Sequence, residues 1–542
     1  MIRTTRVLIL TALALGVVSA QVHAAELVRH TEYMVEMRDG VKLATSVYLP
    51  EGDGPWPAIV TRTPYNKVRY ESNYKNYTDA GYVFAAQDSR GKFRSEGDYY
   101  PFESDMPDGY DTIEWLASQE FCNGKVGIGG ASAMGIASNL AAAANPPHLE
   151  AAFVVVAPEG LFHHSRFIGG VFKESHAGDW MRRQGAGDQV DAMKKRVVMD
   201  DQWKAVDFLH HRNKVDVPMY NVGGWYDIFS EGSLKNFKWL QEEGLEGARG
   251  QQKILMGPFG HGQIAGDLSY PDSGNLGSFF DQELRWFDYW LKDKDNGIMD
   301  EPPVRYYMMA SAHKDNISSK NRWIDAAAWP PETTPLKLYF HDGFGLSVTA
   351  PTESTDPTVY RFDPENPVPT VGGLNLSLPK GPMDQREIGE RPDYLRFQTP
   401  PLKEDIVVAG RIEVELYAAT DGLDTDFMAK LVDVYPNGYE AIVLDNPIRA
   451  RYRHGRNAED VELMTPNQPE KLVIDLWSTA LTFEKGHRIA LHVSSSNSRR
   501  FEVNPNTGEA PGEHTLPPRA ATNSIYHDAE RPSAIVLPVI TD

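Results

Sequence analysis

Ser132 lies at a strand-to-helix turn that suits a nucleophile. Residues 125–129 read as a buried strand and residues 136–142 as a helix, and the turn between them contains Gly130 and Gly135. We expect Gly130 to permit a strained backbone and Gly135 to permit close packing of the helix on the strand. Such a turn presents the hydroxyl at the carboxyl edge of the sheet, above a helix N-terminus that favours developing negative charge. The spacing G-x-S-x-x-G is less specific than G-x-S-x-G, so a purely structural glycine turn is the alternative.

An acid and a histidine follow Ser132 in the chain order that a nucleophilic turn of this kind predicts. The apolar run 217–222 ends in a loop that contains Asp227, and the run 253–256 ends in a loop that contains His261. Both loops are expected at the sheet edge that carries the serine. Each residue alone would be an ordinary turn aspartate or loop histidine. The ordered trio predicts a serine nucleophile, a histidine general base and a carboxylate that orients the imidazole.

A nucleophilic serine also needs hydrogen-bond donors for the oxyanion that forms when it attacks a carbonyl group. The backbone N–H of Ala133, the residue after the serine, is one expected donor. The first core strand, 56–61, leads to Tyr65, at the position from which a second donor is expected. Either the amide or the phenol of Tyr65 would serve. A structural tyrosine on a proline turn is the alternative.

These residues require an α/β framework in the first half of the chain. Apolar, β-branched runs alternate with helical patterns up to about residue 300, which predicts a largely parallel sheet. The predicted strands are 56–61, 82–87, 125–129, 151–156, 217–222 and 253–256. About 60 residues separate the fourth strand from the fifth, more than one crossover helix needs, so we expect an inserted helical cap.

The second half of the chain has a different pattern of apolar and polar residues. A proline-rich stretch, 325–335, precedes runs of alternating apolar and polar residues separated by turns, which predicts a β-sandwich. The predicted domains are an α/β core at 25–158 and 214–324, a cap at 159–213, a linker at 325–335 and the sandwich at 336–542.

Composition and the N-terminus narrow the functional classes. The formal charge of −21, from 75 acidic and 54 basic residues, argues against a nucleic-acid partner, since such a surface repels phosphate backbones. Cys122 is the single cysteine, so no intramolecular disulfide can form. Two arginines, a short apolar run and small residues up to Ala24 predict a cleaved signal peptide over residues 1–24. We expect a periplasmic or secreted protein without a membrane anchor after cleavage. A homo-oligomer is left open.

Several further segments carry a family resemblance. They are 62–65 (RTPY), 88–91 (DSRG), 95–97 (SEG), 108–116 (DGYDTIEWL), 224–227 (GWYD), 257–261 (GPFGH), 424–427 (DTDF), 450–453 (ARYR), 494–497 (SSSN) and 504–508 (NPNTG). On these segments, and on the turn at Ser132, nearly the whole mature chain resembles the cocaine-esterase-like serine hydrolases. That family includes Xaa-Pro dipeptidyl-peptidases, α-amino-acid ester hydrolases and glutaryl cephalosporin acylases. The resemblance implies an α/β-hydrolase core, a helical cap and a C-terminal jelly roll, with Ser132, Asp227, His261 and Tyr65 at the matching positions and no cofactor.

The chain departs from the family members that act on α-amino acyl groups. Those members resemble one another in carboxylates that hold the substrate ammonium, whereas here Asp227 is followed by Ile-Phe-Ser and the cap opens with His163, His164 and Arg166. We therefore predict a neutral or acidic acyl group, because a buried unpaired ammonium would cost several kcal/mol. Arg166, Phe229 and Trp225 are the predicted substrate-binding residues. Exposure of Arg166 to solvent is the alternative.

The paired histidines 163–164 and 210–211 do not predict a metal site, because adjacent residues on a helix point apart and no H-E-x-x-H motif occurs. Asp88, Arg90, Glu96 and Asp108 are expected to form a buried ion-pair network. The sequence thus predicts an exported serine hydrolase that cleaves a small-molecule ester or amide through an acyl-enzyme. An Xaa-Pro-type exopeptidase and a non-catalytic glycan-binding protein are the alternatives.

Overall fold

Residues 30–70, 73–275, 278–513 and 515–541 are described by a computed structural model. The predicted signal peptide, 1–24, lies outside the described residues. No helix within the described ranges is both long enough and apolar enough to span a lipid bilayer.

Strands and helices alternate in the first half of the chain. The strands are β1 His30–Glu36, β2 Lys42–Tyr48, β3 Trp56–Thr63, β4 Val83–Asp88, β5 Cys122–Ala131, β6 Leu149–Val155, β7 Phe167–Ile168, β8 Val171–Phe172, β9 Met219–Tyr226, β10 Lys253–Gly260, β11 Val304–Met308, β12 Ala312–His313, β13 Asn316–Ile317 and β14 Arg322–Ala326. The helices are α1 Tyr74–Asp79, α2 Asp105–Ala117, α3 Ala133–Ala143, α4 Asp179–Arg183, α5 Val190–Lys195, α6 Asp201–Val206, α7 Ser230–Glu243 and α8 Phe279–Lys292.

A ten-stranded sheet, in the order β1-β2-β4-β3-β5-β6-β9-β10-β11-β14, forms the centre of this half. Its strands from β4 to β11 are parallel to their neighbours, and antiparallel strands close both edges. Side chains of a strand alternate between the two faces. Accordingly Val60 and Val154 pack in one apolar core, with α3, and Ile59 and Phe153 pack in another, with α8. Burial on both faces explains why these strands are continuous apolar runs in the sequence.

The segment between β6 and β9 holds short helices rather than one crossover helix. It contains α4, α5, α6 and the two-stranded hairpin β7–β8, and it begins with an irregular helical turn at Leu161–Arg166. The helices α4, α5 and α6 have five or six residues each. Helices this short are marginal alone, so packing against the rest of the molecule must hold them.

The second half is rich in strands. They are β15 Thr334–His341, β16 Gly345–Ser347, β17 Thr358–Phe362, β18 Leu395–Gln398, β19 Ile406–Thr420, β20 Asp426–Val434, β21 Glu440–Arg449, β22 Glu470–Phe483, β23 Arg488–Ser494, β24 Ala521–Tyr526 and β25 Ala534–Val539. They belong to one hydrogen-bonded network in which β19 pairs with β22, β24 and β25. The predicted β-rich C-terminal half is present, whereas its jelly-roll topology stays a prediction.

The predicted ion-pair network has other members than expected, since Asp39, Arg62 and Asp105 join Arg90 and Asp108. Arg90 pairs with Asp108, with 2.6 Å between nitrogen and oxygen. Asp88 and Glu96 instead accept hydrogen bonds from backbone N–H groups. These carboxylates therefore fix loops rather than forming ion pairs with Arg90.

Candidate active site

Ser132 occupies a strained turn between β5 and α3. Its backbone angles are φ 59° and ψ −123°, which a side-chain-bearing residue rarely adopts. A Cβ atom at Gly130 would lie 2.5 Å from Cβ of Met134, and one at Gly135 would lie 2.8 Å from Cβ of Ala157. Both glycines are therefore required by close packing. The turn holds the Ser132 side chain at the carboxyl edge of the sheet, above the first turn of α3.

The structure brings Asp227 and His261 to Ser132. Asp227 follows β9 directly and His261 follows β10 directly. His261 Nε2 lies 2.8 Å from Ser132 Oγ, and His261 Nδ1 lies 2.7 Å from Asp227 Oδ2. With Nδ1–H donating to the carboxylate, Nε2 is left to accept the serine proton. A single hydrogen-bonded path therefore joins the hydroxyl, the imidazole and the carboxylate.

Asp227 and the His261 ring are held from several sides. Asp227 is fully buried, and its Oδ1 accepts a hydrogen bond of 2.7 Å from the Phe229 N–H. The Phe229 ring meets the His261 ring edge-on, with 5.8 Å between centroids. The buried Lys173 ammonium donates to the carbonyl oxygen of Ile228, the residue after the acid. These contacts fix both the carboxylate and the plane of the imidazole.

Tyr65 meets the serine through its phenol. Its backbone N–H donates to Thr63 Oγ1 over 3.0 Å, so the amide is already engaged. The phenol oxygen accepts a hydrogen bond of 2.9 Å from the indole N–H of Trp180 and lies within hydrogen-bonding reach of the Ser132 side chain. Burial raises the pKa of the phenol above its ordinary 10, so it stays protonated. With Trp180 donating to the oxygen, the phenol proton is free to point toward Ser132.

Ala133 supplies the neighbouring donor. It is the first residue of α3, so its N–H has no acceptor inside the helix. The Ser132 N–H is engaged elsewhere, donating to the Val155 carbonyl over 2.9 Å. The Ala133 amide and the Tyr65 phenol are therefore the two donors at the serine that the geometry leaves for a developing oxyanion.

Arg166 is buried close to this site, not exposed on the cap. It is 3% exposed, and its guanidinium carbon lies 5.6 Å from the Trp180 ring and 5.7 Å from the Phe102 ring. Among the described residues, its side chain makes one hydrogen bond, to Ser165 Oγ, and no ion pair. Burial lowers the pKa of the Arg166 guanidinium to about 10. The side chain is therefore a buried cation without a counter-charge.

Trp225 is not brought to the serine. Its indole N–H donates to the Tyr307 carbonyl over 2.8 Å, and its ring packs 5.3 Å from the Trp329 ring in the core between the two halves. The large apolar indole is buried in the core that joins the two halves, so Trp225 has a packing role.

Trp180 and Phe102 are residues of the site that sequence reasoning missed. Their rings stack with 5.5 Å between centroids, and Trp180 holds the Tyr65 phenol. Neither carries a motif or a spacing signal, since their approach depends on how the short cap helices fold. The paired histidines also have packing roles: His163 meets the Phe162 ring and His164 the Trp477 ring. Across the described ranges, no group of three His, Cys, Asp or Glu residues is arranged to hold a metal ion.

Comparison with known proteins identifies the family of the chain. The model of the X-Pro dipeptidyl-peptidase (S15 family) matches residues 39–198 and 177–263, and that of the X-Pro dipeptidyl-peptidase C-terminal non-catalytic domain matches residues 296–536. The cocaine esterase of Rhodococcus sp. is 28% identical, over 94% of this chain and 98% of the relative. The two models together match most of the chain, which therefore belongs to the S15 family of serine hydrolases. The expected family and enzyme class are thereby confirmed.

Two solved structures support the fold. An aminopeptidase from a marine sediment Thaumarchaeota archaeon has a TM-score of 0.81 and 26% identity, and covers 94% of this chain and 96% of its own. An α-amino acid ester hydrolase has a TM-score of 0.80 and 26% identity, with the same coverage of 94% and 96%. The likeness spans both halves of the chain. It confirms the predicted α/β-hydrolase fold with a β-rich C-terminal domain.

Proposed function

We propose that this serine hydrolase is exported and cleaves a carboxylic ester or amide through an acyl-enzyme on Ser132. The observation that carries the proposal is the hydrogen-bonded path from Asp227 through His261 to Ser132, with 2.7 Å and 2.8 Å at its two steps. A non-catalytic glycan-binding protein would have no need for these three side chains in one path.

The proposed reaction uses the two oxyanion donors and the hydrogen bonds that join Asp227, His261 and Ser132. His261 Nε2 takes the hydroxyl proton as Ser132 Oγ attacks the carbonyl carbon, and Asp227 stabilises the imidazolium that forms. The Tyr65 phenol and the Ala133 N–H donate to the oxyanion. His261 then protonates the departing alcohol or amine, and the same histidine activates a water that hydrolyses the acyl-enzyme. No cofactor takes part in these steps.

Arg166 supports an acyl group that is neutral or carries a carboxylate. A buried guanidinium without a partner is unfavourable, and a substrate carboxylate would supply two charge-assisted hydrogen bonds. The Tyr65 phenol lies beside Ser132 and accepts a hydrogen bond from Trp180, and the Arg166 guanidinium packs on the Trp180 ring. The cation is therefore one aromatic side chain away from the oxyanion donor. We propose that the carboxylate of an ω-carboxyacyl group pairs with this guanidinium.

An exopeptidase that captures a free N-terminus is the second candidate, favoured by the family models and by the aminopeptidase that resembles this chain. Such an enzyme needs an unpaired carboxylate on the acyl side of the serine, because the free N-terminus belongs to the acyl half of the substrate. Here Glu231 accepts from the Ser478 N–H, Glu174 pairs with Arg182, and Glu159 pairs with Arg212. The contacts of these acids favour the neutral or acidic acyl group.

The mechanism is tested by covalent labelling and turnover. Ser132→Ala should lower kcat by several orders of magnitude, because it removes the nucleophile, and a fluorophosphonate probe should label Ser132 alone in the wild-type chain. Ser138→Ala is the matched control, since that buried serine of α3 donates only to the Met134 carbonyl. Full activity of Ser132→Ala, or labelling of another serine, would contradict the mechanism.

The acyl preference is tested with p-nitrophenyl esters of an alkanoyl, a matched ω-carboxyacyl and a matched α-aminoacyl group. We expect the highest kcat/KM for the ω-carboxyacyl ester, and Arg166→Met should remove about tenfold or more of that preference. Arg196→Met is the control, since that arginine pairs with Asp200 on the cap. Preference for the α-aminoacyl ester would overturn the assignment and favour the exopeptidase.

A further inference from the structure

Lys173 is a buried lysine beside the loop that carries Asp227. It follows β8 directly, within the insertion between β6 and β9, and it is 1% exposed. Its Nζ donates to the carbonyl oxygens of His164 and Ile228, over 2.8 and 3.1 Å. Ile228 is the residue after Asp227, so the lysine joins the cap to the acid loop. Within the described part of the chain, no carboxylate lies within ion-pair distance of this nitrogen.

The surroundings of the Lys173 nitrogen suit a cation. The rings of Phe229 and Trp477 lie 5.6 and 5.7 Å from it, within the range of a cation–π contact. Burial lowers the pKa of the ammonium below its usual range, whereas the charge of Asp227 raises it. Two ring faces, two carbonyl oxygens and the nearby carboxylate together stabilise the charged form.

The ammonium is close enough to act on the triad. The Phe229 ring contacts both side chains, since it lies 5.6 Å from Lys173 Nζ and 5.8 Å from the His261 ring. The ammonium and the imidazole are therefore at most about 11 Å apart. At an effective dielectric constant of about 20, two unit charges at that distance interact by an energy equivalent to about one pH unit. A cation there opposes protonation of His261 and so favours the free base that takes the serine proton.

We propose that Lys173 is a positioning residue of the triad, and that its ammonium charge sets the pH at which His261 becomes an active base. The inference rests on the proposed function and extends it, because it assigns the pH threshold of hydrolysis to a side chain of the cap. Lys173 acts through the acid loop and the imidazole and touches no reacting atom.

Other charged and titratable groups face the same region. Those on the cap are His164, Arg166 and His176, and Arg500 approaches from the C-terminal half. The Arg500 guanidinium is paired with Asp445. Burial lowers the pKa of the two cap histidines well below 6.5, so both rings stay neutral while His261 titrates. Of these groups, Lys173 alone donates to the loop of the acid.

The test removes the charge and follows the acidic limb of the pH profile of kcat/KM. Lys173→Met keeps an unbranched apolar chain and removes the ammonium. With a neutral p-nitrophenyl alkanoate, the midpoint of the limb should rise by about one pH unit relative to the wild type. Lys173→Arg keeps a cation and should keep the wild-type midpoint. An unmoved midpoint in Lys173→Met, with or without a fall in kcat, would mean a structural role only and would overturn the inference. A rise in both variants would attribute the shift to packing and would overturn it as well.

The control is Arg456→Met, which removes another cation that packs on the cap. The Arg456 guanidinium lies 4.5 Å from the Phe162 ring and donates to the Val197 carbonyl. Loss of these contacts should loosen the cap without changing the charge beside Asp227, so the midpoint should stay at its wild-type value. An equal rise in Arg456→Met would mean that any loosening of the cap moves the limb, which would contradict the role of the Lys173 charge.

The charge itself is measurable on the wild-type chain, whether or not the variants fold. With nitrogen-15 in the lysine side chains, Lys173 is identified by the ring-current shift of its ε-protons between Phe229 and Trp477. It should give an ammonium resonance at about pH 7, and an amine resonance there would overturn the inference. Ester hydrolysis by the wild-type chain with no shift in Lys173→Met removes this inference alone. A wild-type chain that hydrolyses no ester counts instead against the proposed function.

Discussion

At the scale of single residues, Tyr65 has the most distinctive role. Its sequence position allowed either its amide or its phenol to serve the oxyanion. The structure separates the two, because the amide donates to Thr63 Oγ1 while the phenol lies beside Ser132 and accepts from Trp180. A side-chain donor is open to a conservative test that a backbone donor is not.

Tyr65→Phe should lower kcat by roughly 10²–10³, about 3–4 kcal/mol, with little change in KM, because one oxyanion donor is lost without loss of packing. Steady-state kinetics on one ester measure both constants. Trp180→Phe should cost less, since it removes the group that orients the phenol but leaves the donor itself. A Tyr65→Phe enzyme with wild-type kcat would mean that the phenol does not donate in the transition state.

At the scale of elements, the sequence predicts the turn from β5 to α3 much better than it predicts the short helices of the cap. Gly135 indicated close packing of α3, and the distance to Ala157 bears this out. The strained backbone expected at Gly130 lies instead at Ser132, and Gly130 is required by its close contact with Met134. The parallel strands were predictable because continuous apolar runs are typical of strands that are buried on both faces. The carboxyl ends of those strands then brought Ser132, Asp227 and His261 to one edge.

The cap was far less predictable, for a physical reason. Its helices have five or six residues, too short for a periodic apolar face to show which side is buried. Arg166 is buried because Phe102, from before α2, and Trp180, from α4, meet over it. That contact joins distant segments of the chain, and no local pattern encodes it. The position of Trp225 was missed for a related reason, since its packing partner Trp329 comes from the distant stretch 325–335.

Gly130→Ala should disrupt the turn without unfolding the protein. The added Cβ would lie 2.5 Å from Cβ of Met134, so the start of α3 must shift and carry Ser132 out of line with His261. A misplacement of about 1 Å can cost 10²-fold in rate, and we expect a fall in kcat of that order. Gly345→Ala is the control, since its Cβ would meet nothing closer than 3.5 Å. Circular dichroism checks the fold, and wild-type kcat in Gly130→Ala would contradict the packing argument.

At the scale of the whole molecule, one apolar core joins the two halves of the chain. Trp225 and Tyr306 of the first half pack with Trp329, which is 4% exposed, at ring-centroid distances of 5.3 and 5.1 Å. The same core continues into β19, β22 and β25. Trp329 lies in the proline-rich stretch 325–335, so this stretch contributes to the core through a buried side chain.

Trp329→Ala should therefore destabilise both halves together, by about 3–5 kcal/mol in the free energy of unfolding. Denaturant unfolding followed by circular dichroism and by loss of esterase activity should give one shared transition, shifted to lower denaturant in the variant. Trp323→Ala, at a partly exposed tryptophan of β14, should cost less. Two separate transitions in the wild-type protein would mean that the halves are stable independently.

The groups around the triad come from segments of the chain that are far apart. Arg166 and Trp180 belong to the insertion between β6 and β9, whereas Ser132, Asp227 and His261 follow strands of the central sheet. Substitutions or length changes in the insertion can thus accumulate without touching the strands that position the triad. For evolution this makes acyl preference and the hydrolytic chemistry separable traits. Duplicated genes can diverge in one while the other is inherited unchanged, and a laboratory library that is restricted to residues 159–213 and keeps Lys173 and Trp180 explores the first trait alone.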